Sequence, residues 1–226
     1  KPVAHASFPF QTGPAMSTCV GIKISRRLRA ESPRRPPRHR RDTCSMAWRC
    51  RFLTATVLRI EPDDKAQILR IRMCIANCYR NLHKYDDALN LERSNYADAK
   101  AFWGIEARDT LTAALNLAAS LTMLRQYREA QTLLRKNVAR ARRVLGPHEE
   151  TMLHMQLKYA TALFLDRAAS RVQLQESVKV LEEIEITSLR VLGASHFLSN
   201  QIKINLERAR KKLARAEGIS GSNLSR

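Results

Sequence analysis

Glycine is scarce in this chain, with seven in 226 residues. No G-x-G-x-x-G and no G-x-x-x-x-G-K-[ST] occurs, which excludes phosphate-cradling loops of the dinucleotide or P-loop kind. Cysteine is also sparse. Cys19, Cys44, Cys50, Cys74 and Cys78 are an odd number and contain no C-x-x-C pair. That pattern suggests neither a zinc site nor a secreted disulfide framework, and the thiols read as reduced and intracellular. Long apolar runs are missing too. Residues 2–22 carry no formal charge but are broken by Pro2, Pro9, Gly13 and Pro14 and lack a leucine-rich centre. They fit neither a signal-peptide core nor a membrane span. The other long uncharged run, Leu111 to Leu124, has a length that suits a buried helix. What the chain does have is length for one domain or two small ones, 44% hydrophobic residues for a core, and basic charge.

Acids are few, 21 against 40 Lys and Arg, leaving a net charge of +19. The excess is uneven. Residues 1–60 hold 13 bases against Glu31 and Asp42, a net of +11, while the rest of the chain carries +8. Arg26, Arg27, Arg29, Arg34, Arg35, Arg38, Arg40 and Arg41 stand there among Pro33, Pro36 and Pro37 without helical or strand periodicity. The stretch reads as a disordered basic arm. It could meet nucleic acid or an anionic surface by counterion release, but no aromatic lies between Phe10 and Trp48 to stack on bases. Its Arg- and Ser-rich, acid-poor composition also suits an organelle-targeting segment. Translation beginning at Met16 or Met46 would shorten it, so a gene-model artefact is a further reading.

From about Glu61 apolar residues recur at helical spacing, with proline only at Pro62 and Pro147. Leu111, Ala114, Leu117, Ala118, Leu121 and Leu124 form one stripe, and Tyr127, Ala130, Leu133 and Leu134 begin another, which predicts two antiparallel helices. The segment I75-A-N-C-Y-R-N-L-H-K-Y-D-D-A88 returns 42 residues later as L117-A-A-S-L-T-M-L-R-Q-Y-R-E-A130. At that offset Ala76 meets Ala118, Leu82 meets Leu124, Tyr85 meets Tyr127, Leu91 meets Leu133 and Gly104 meets Gly146. Tyr159, Ala160 and Leu163 continue a third copy, after which about five residues are inserted around Asp166 to Gln175. A period of this length predicts an all-α solenoid of stacked helix pairs. Alanines at 76, 118 and 160 would let a partner helix approach closely, and Gly104, Gly146 and Gly193 would supply left-handed C-caps.

The core N116-L-A-A-S-L-T-M-L-R-Q-Y-R-E-A130 followed by R143-V-L-G-P-H-E-E-T151 resembles the tetratricopeptide family, in its 42-residue kinesin-light-chain-like form. The linker R190-V-L-G-A-S-H196 is similar. The resemblance spans about residues 65–216, with departures at Cys74 and Lys158, which replace Asn116 in the other copies, and at Phe197, where proline is usual. It implies a right-handed superhelix with pairs near 66–82 and 85–101, 107–124 and 127–144, 149–165 and 172–192. A capping helix over 196–216 would turn Arg208, Arg210, Lys211, Lys212 and Arg215 to solvent. The organisation expected is therefore an arm over 1–60, a solenoid over 61–216 and a flexible tail over 217–226.

Catalytic signals are weak. His148-Glu149 is followed by His154 and not by the fourth-position histidine of H-E-x-x-H, and six residues rotate a helix by about 600°, setting the rings roughly 120° apart. Cys74 and Cys78 lie one turn apart with no third ligand nearby and read as small core or groove-side thiols. No G-x-S-x-G, Ser/His/Asp set or carboxylate pair in an apolar frame is visible, so no enzyme, metal or cofactor is expected.

The resemblance instead implies a concave groove lined by the first helix of each pair, suited to an extended or helical peptide. Carried over residue by residue, the groove positions are Arg70, Met73, Asn77, Arg80 and Asn81; then Thr112, Leu115, Ala119, Thr122 and Met123; then His154, Leu157, Thr161, Phe164 and Leu165. Leu115, Leu157 and Phe164 read equally well as core. Asn77, Asn116 and Lys158 match polar positions that clamp a peptide carboxylate in some members, although Met73 and His154 stand where lysines are expected. The reading is a non-enzymatic intracellular adaptor or scaffold, expected in the cytoplasm, binding a protein or peptide with an acidic one favoured. The competing reading is nucleic-acid or anionic-surface binding through the arm.

Overall fold

A computed structural model describes residues 64–218. They form seven α-helices with no strand among the described residues: α1 Lys65–Asn81, α2 Tyr85–Trp103, α3 Arg108–Met123, α4 Tyr127–Leu145, α5 Glu150–Leu165, α6 Arg171–Leu192 and α7 Phe197–Ala216. Each helix packs antiparallel on the next, and the odd-numbered helices also touch one another. The result is two layers, an inner one of α1, α3, α5 and α7 and an outer one of α2, α4 and α6. This is the expected solenoid of three pairs and a cap. The arm expected over 1–60 lies outside the described residues.

Local chemistry sets the helix starts. The Asp64 carboxylate accepts from the Gln67 amide at 3.0 Å, and Glu149 accepts from Thr151 and Met152. Ser170 and Gln173 cap α6 reciprocally, and His196 Nδ1 accepts from Leu198 at α7. Such caps satisfy amides that have no partner inside the helix. At the other ends Gly104, Gly146 and Gly193 follow α2, α4 and α6 with φ of 86°, 84° and 85°. Their ψ values, 165°, 165° and 163°, are extended and not left-handed helical, so the expected cap has the right sign of φ but a different form. That region is open essentially to glycine alone.

Small residues decide how closely the helices approach. Ala76, Ala118 and Ala160 are fully buried on the inner helices, and Ala88 and Ala130 are fully buried on α2 and α4. In the third pair Ser177 takes the place of Ala88 and Ala130, and its hydroxyl donates to the Ala160 carbonyl at 2.9 Å. A side chain with more bulk at any of these positions would have to open the pair. The larger core side chains, Leu111, Leu134, Met155 and Leu163 on α3 to α5 and Leu153, Leu181 and Ile202 on α5 to α7, fill the spaces between pairs.

The insertion resolves into two parts. The turn between α5 and α6 has five residues, 166–170, against three in the turns at 82–84 and 124–126, and α6 has 22 residues against 19 in α2 and α4. The short turns force His83 and Arg125, equivalent by the repeat, to φ of 60°. The longer one needs no such residue.

Helix α7 ends the stack by chemistry. Where α3 places buried Leu111, Ala114 and Ala118, α7 places Asn200, Lys203 and Glu207, all exposed. Its basic residues do not all face water as expected. The Lys212 ammonium donates to the Phe164 and Asp166 carbonyls, both at 2.6 Å, tying the cap to the end of α5. Arg208 lies half-buried with its guanidinium 5.8 Å from the Phe164 ring centre, and Arg210 pairs with Glu182 at 2.7 Å. Long basic side chains here cover apolar surface and cap a helix end as well as carry charge.

Candidate functional site

Because the repeat keeps one period through the first three pairs, the inner helices present equivalent side chains in rows across the concave face. One row is Cys74, Asn116 and Lys158; its neighbours are Asn77, Ala119 and Thr161, and Met73, Leu115 and Leu157. Asn77, Asn81, Met73, Thr112, Leu115, Asn116, Ala119, Thr122, Met123, His154, Lys158 and Thr161 are all half-buried. Leu157 and Phe164 are buried in the core between α5, α6 and α7, and Leu115 packs half-buried against the core of the second pair. Cys74 is buried.

Several of these groups are spent inside the fold. Arg70, at the exposed edge, pairs with Asp109 at 2.9 Å and lies 5.8 Å from the Trp103 ring centre. The hydroxyls of Thr112, Thr122 and Thr161 donate to carbonyls one turn back in their own helices, and the Asn81 amide donates to the Asn77 carbonyl. Arg80 is committed most fully. Its guanidinium pairs with Glu92 of α2, donates to the Asn116 carbonyl of α3 at 3.1 Å and donates to Asn77 Oδ1 at 3.1 Å. Arg80 is thus a clamp among α1, α2 and α3 at the floor of the groove, with its side chain 9% exposed.

Glu92, 1% exposed, was not visible as a site residue from sequence. Burial raises its carboxyl to about 7, only partly offset by the Arg80 charge and by the Ser120 hydroxyl, which lies nearby outside hydrogen-bonding geometry. The groove's own titratable groups respond in the same way to loss of water. Burial, reinforced by Arg80, brings the Lys158 ammonium down to about 8. His154 falls to about 4 through burial and then the charges of Lys158 and His196, against a smaller opposing pull from Glu149. At neutral pH His154 is therefore an uncharged ring, and Lys158 is mostly a cation with no acidic partner among the described residues. The side-chain amide of Asn116, in the same row, also has no hydrogen bond among the described residues. What the arrangement offers is one charged donor and one amide on a half-buried, partly apolar floor of Met73, Leu115 and Met123.

Two adjoining clefts of about 360 and 370 Å³ lie elsewhere, beside the first turn of α4 and the 166–170 turn. They are polar, share Arg128 and Asp166, and follow from the insertion. Among the described residues no group of three His, Cys, Asp or Glu could hold a metal ion, and no helix is long and apolar enough to cross a membrane.

Residues 110–148, which span α3, α4 and the linker after them, match the tetratricopeptide repeat family. Crystal structures of nearly identical TPR-like repeats from a Podosopora anserina protein named for kinesin light chain superpose with TM-scores of 0.60 and 0.59 at 19% identity. In both cases 77% of this chain and 80% of the other is covered. BtubC (BKLC) from P. vanneervenii gives 0.50 at 13% identity over 81% of this chain and 77% of that one. No curated protein matches the sequence. Residues 110–148 thus match a tetratricopeptide repeat, and the described helices have a fold similar to that of the kinesin-light-chain-named repeat structures.

Proposed function

We propose that the chain is a non-enzymatic adaptor that holds an acidic segment of a partner protein in the concave groove, with a carboxylate docked on Lys158. The observation that carries this reading is the half-buried Lys158 ammonium, which has lost water and gained no counter-charge among the described residues. A carboxylate there would replace lost hydration, take a second hydrogen bond from the Asn116 amide and relieve the repulsion from Arg80. Met73, Leu115, Ala119 and Met123 would take the partner's apolar side chains, since soft and small side chains adapt to varied ligands. His154, held neutral, would contribute a ring surface and a single donor or acceptor. Arg80 and Asn77, bonded to each other, position this floor and do not themselves reach for the ligand.

A peptide-library screen on the full chain tests the reading. Selected peptides should be acidic, and Lys158→Gln should weaken them by about tenfold, the loss of one desolvated charge-assisted bond. Affinity should also fall as pH rises through about 8, where Lys158 gives up its proton. Selection of neutral or basic peptides, or indifference to Lys158→Gln, would refute it.

A further inference from the structure

The outer surface of α4 has a charge pattern that neither flanking helix shares. Arg128, Thr132, Arg135, Lys136, Arg142 and Arg143 are all exposed and recur at helical spacing, so they occupy one face of the helix. From Arg128 to Arg143 this stripe runs about 22 Å. Arg143 pairs with Glu106, and Arg128 lies 4.0 Å from Asp166. Arg135 Nε donates to the Tyr159 hydroxyl at 3.2 Å, which in turn donates to Glu176, whose charge also attracts Arg135; no ion pair of Lys136 or Arg142 exists among the described residues. At the N-terminal end the stripe opens into the cleft of about 370 Å³, where Gln131 and Gln173 add amides to Arg128 and Arg135.

The neighbours limit what such a stripe can hold. Helix α2 exposes Asp86, Asp87 and Asp98 beside Arg93 and Lys100, and α6 exposes Glu183 among Arg171, Lys179 and Arg190. A duplex or an anionic bilayer would spread over α2 and meet its three aspartates. The stripe itself has no aromatic side chain on which single-stranded bases could stack. A single polypeptide segment is narrow enough to stay on α4, and carboxylates every third or fourth residue would match the spacing of its cations.

We infer that the outer face of α4, with the cleft at its N-terminal end, is a second docking surface that binds an acidic segment of a partner protein independently of the groove. The test uses the full chain and a fluorescent alanine–glutamate peptide with an acid at every third or fourth position, followed by anisotropy at physiological salt. Lys136→Glu with Arg142→Glu should weaken binding about tenfold, the effect of reversing two exposed charges. Lys203→Glu with Lys211→Glu, the same change in net charge on the cap, should change it less than twofold. Both double variants are also measured in a Lys158→Gln background, where the groove's contribution is removed and the α4 loss should persist, which separates this surface from the groove. The helix content and melting of all variants should match the parent, because every altered side chain but Lys158 is exposed. Equal losses in the α4 and α7 variants, or no loss in either, overturns the inference. So does a larger effect of the α4 variant on binding to vesicles of phosphatidylcholine and phosphatidylserine at 7:3, or to a single-stranded 20-mer oligonucleotide.

Discussion

The first and second helix pairs use the same backbone plan with opposite chemistry at its centre. In the first, Arg80 and Glu92 form a buried ion pair; in the second, the equivalent positions hold Thr122, bonded within its own helix, and fully buried Leu134. The third pair is more apolar still, with Phe164 and Leu181. The polar version is incomplete: Glu92 Oε2, Asn95 Oδ1 and Ser120 Oγ are buried without hydrogen-bond partners among the described residues. A buried ion pair is weak evidence of stability, since desolvation offsets the attraction. The contrast teaches that the fold needs the volume at this place and not the charge. Our reading is that the charge sets the electrostatics of the groove, where Arg80 lowers Lys158.

The largest effect should come from breaking this pair on one side. Glu92→Leu alone leaves the Arg80 guanidinium buried and uncompensated, at a cost of about 3–5 kcal/mol in urea unfolding. Arg80→Thr together with Glu92→Leu copies the second pair into the first and should return stability to within about 1 kcal/mol of the parent, or above it. If the double variant is as unstable as the single, the two repeats are not interchangeable and the contrast fails.

The next effect is a pH signature confined to the first pair. Glu92 has a folded value of about 7, above the ordinary 4.5. The folded state therefore binds its proton more tightly than the unfolded chain does. This contribution is fully present below 4.5 and is lost as pH rises through 7, amounting to about 3 kcal/mol at most. Unfolding free energy measured from pH 4.5 to about 7.5 should fall for the parent relative to the Arg80→Thr, Glu92→Leu variant. Identical slopes would place Glu92 in a less desolvated site than its 1% exposure implies.

A smaller effect tests what the two pairs have in common. Ala76→Leu and Ala118→Leu should each cost about 1–3 kcal/mol by overpacking, because both alanines are fully buried against their own outer helix. A much smaller cost in the first pair would show that its polar centre leaves room. Smallest should be Gly104→Ala and Gly146→Ala. A Cβ meets nothing within 4 Å at either, so only the strain of their positive φ remains, about 1–2 kcal/mol and the same in both linkers.

Most of the architecture was legible from the repeat. The alanines at 76, 118 and 160, the glycines after α2, α4 and α6 and the apolar stripe of α3 each demand a partner helix at a fixed distance, so pair boundaries followed closely. The insertion could be placed around Asp166 but not divided between turn and helix, because local periodicity is silent where a capping box starts a helix early. The repeat supplies candidate groove positions but not which of their polar groups are free. Arg80 carries the same residue type whether it meets a ligand or Glu92 of the next helix, and nothing in the spacing of Glu92 marks it as buried. The basic stripe of α4 was not legible as a surface of its own, since that depends on which of its cations meet acids on neighbouring helices.

Periodicity by itself settled that the chain makes stacked antiparallel helix pairs, since apolar and small side chains at helical spacing, repeated from one pair to the next, can be buried only by a neighbour of the same kind. Tertiary structure alone decided which polar groups remain available, because that depends on partners brought together from different helices. Arg80 is paired with Glu92, Lys212 is consumed by two carbonyls at the end of α5, and Lys158 is left desolvated with no acidic partner among the described residues.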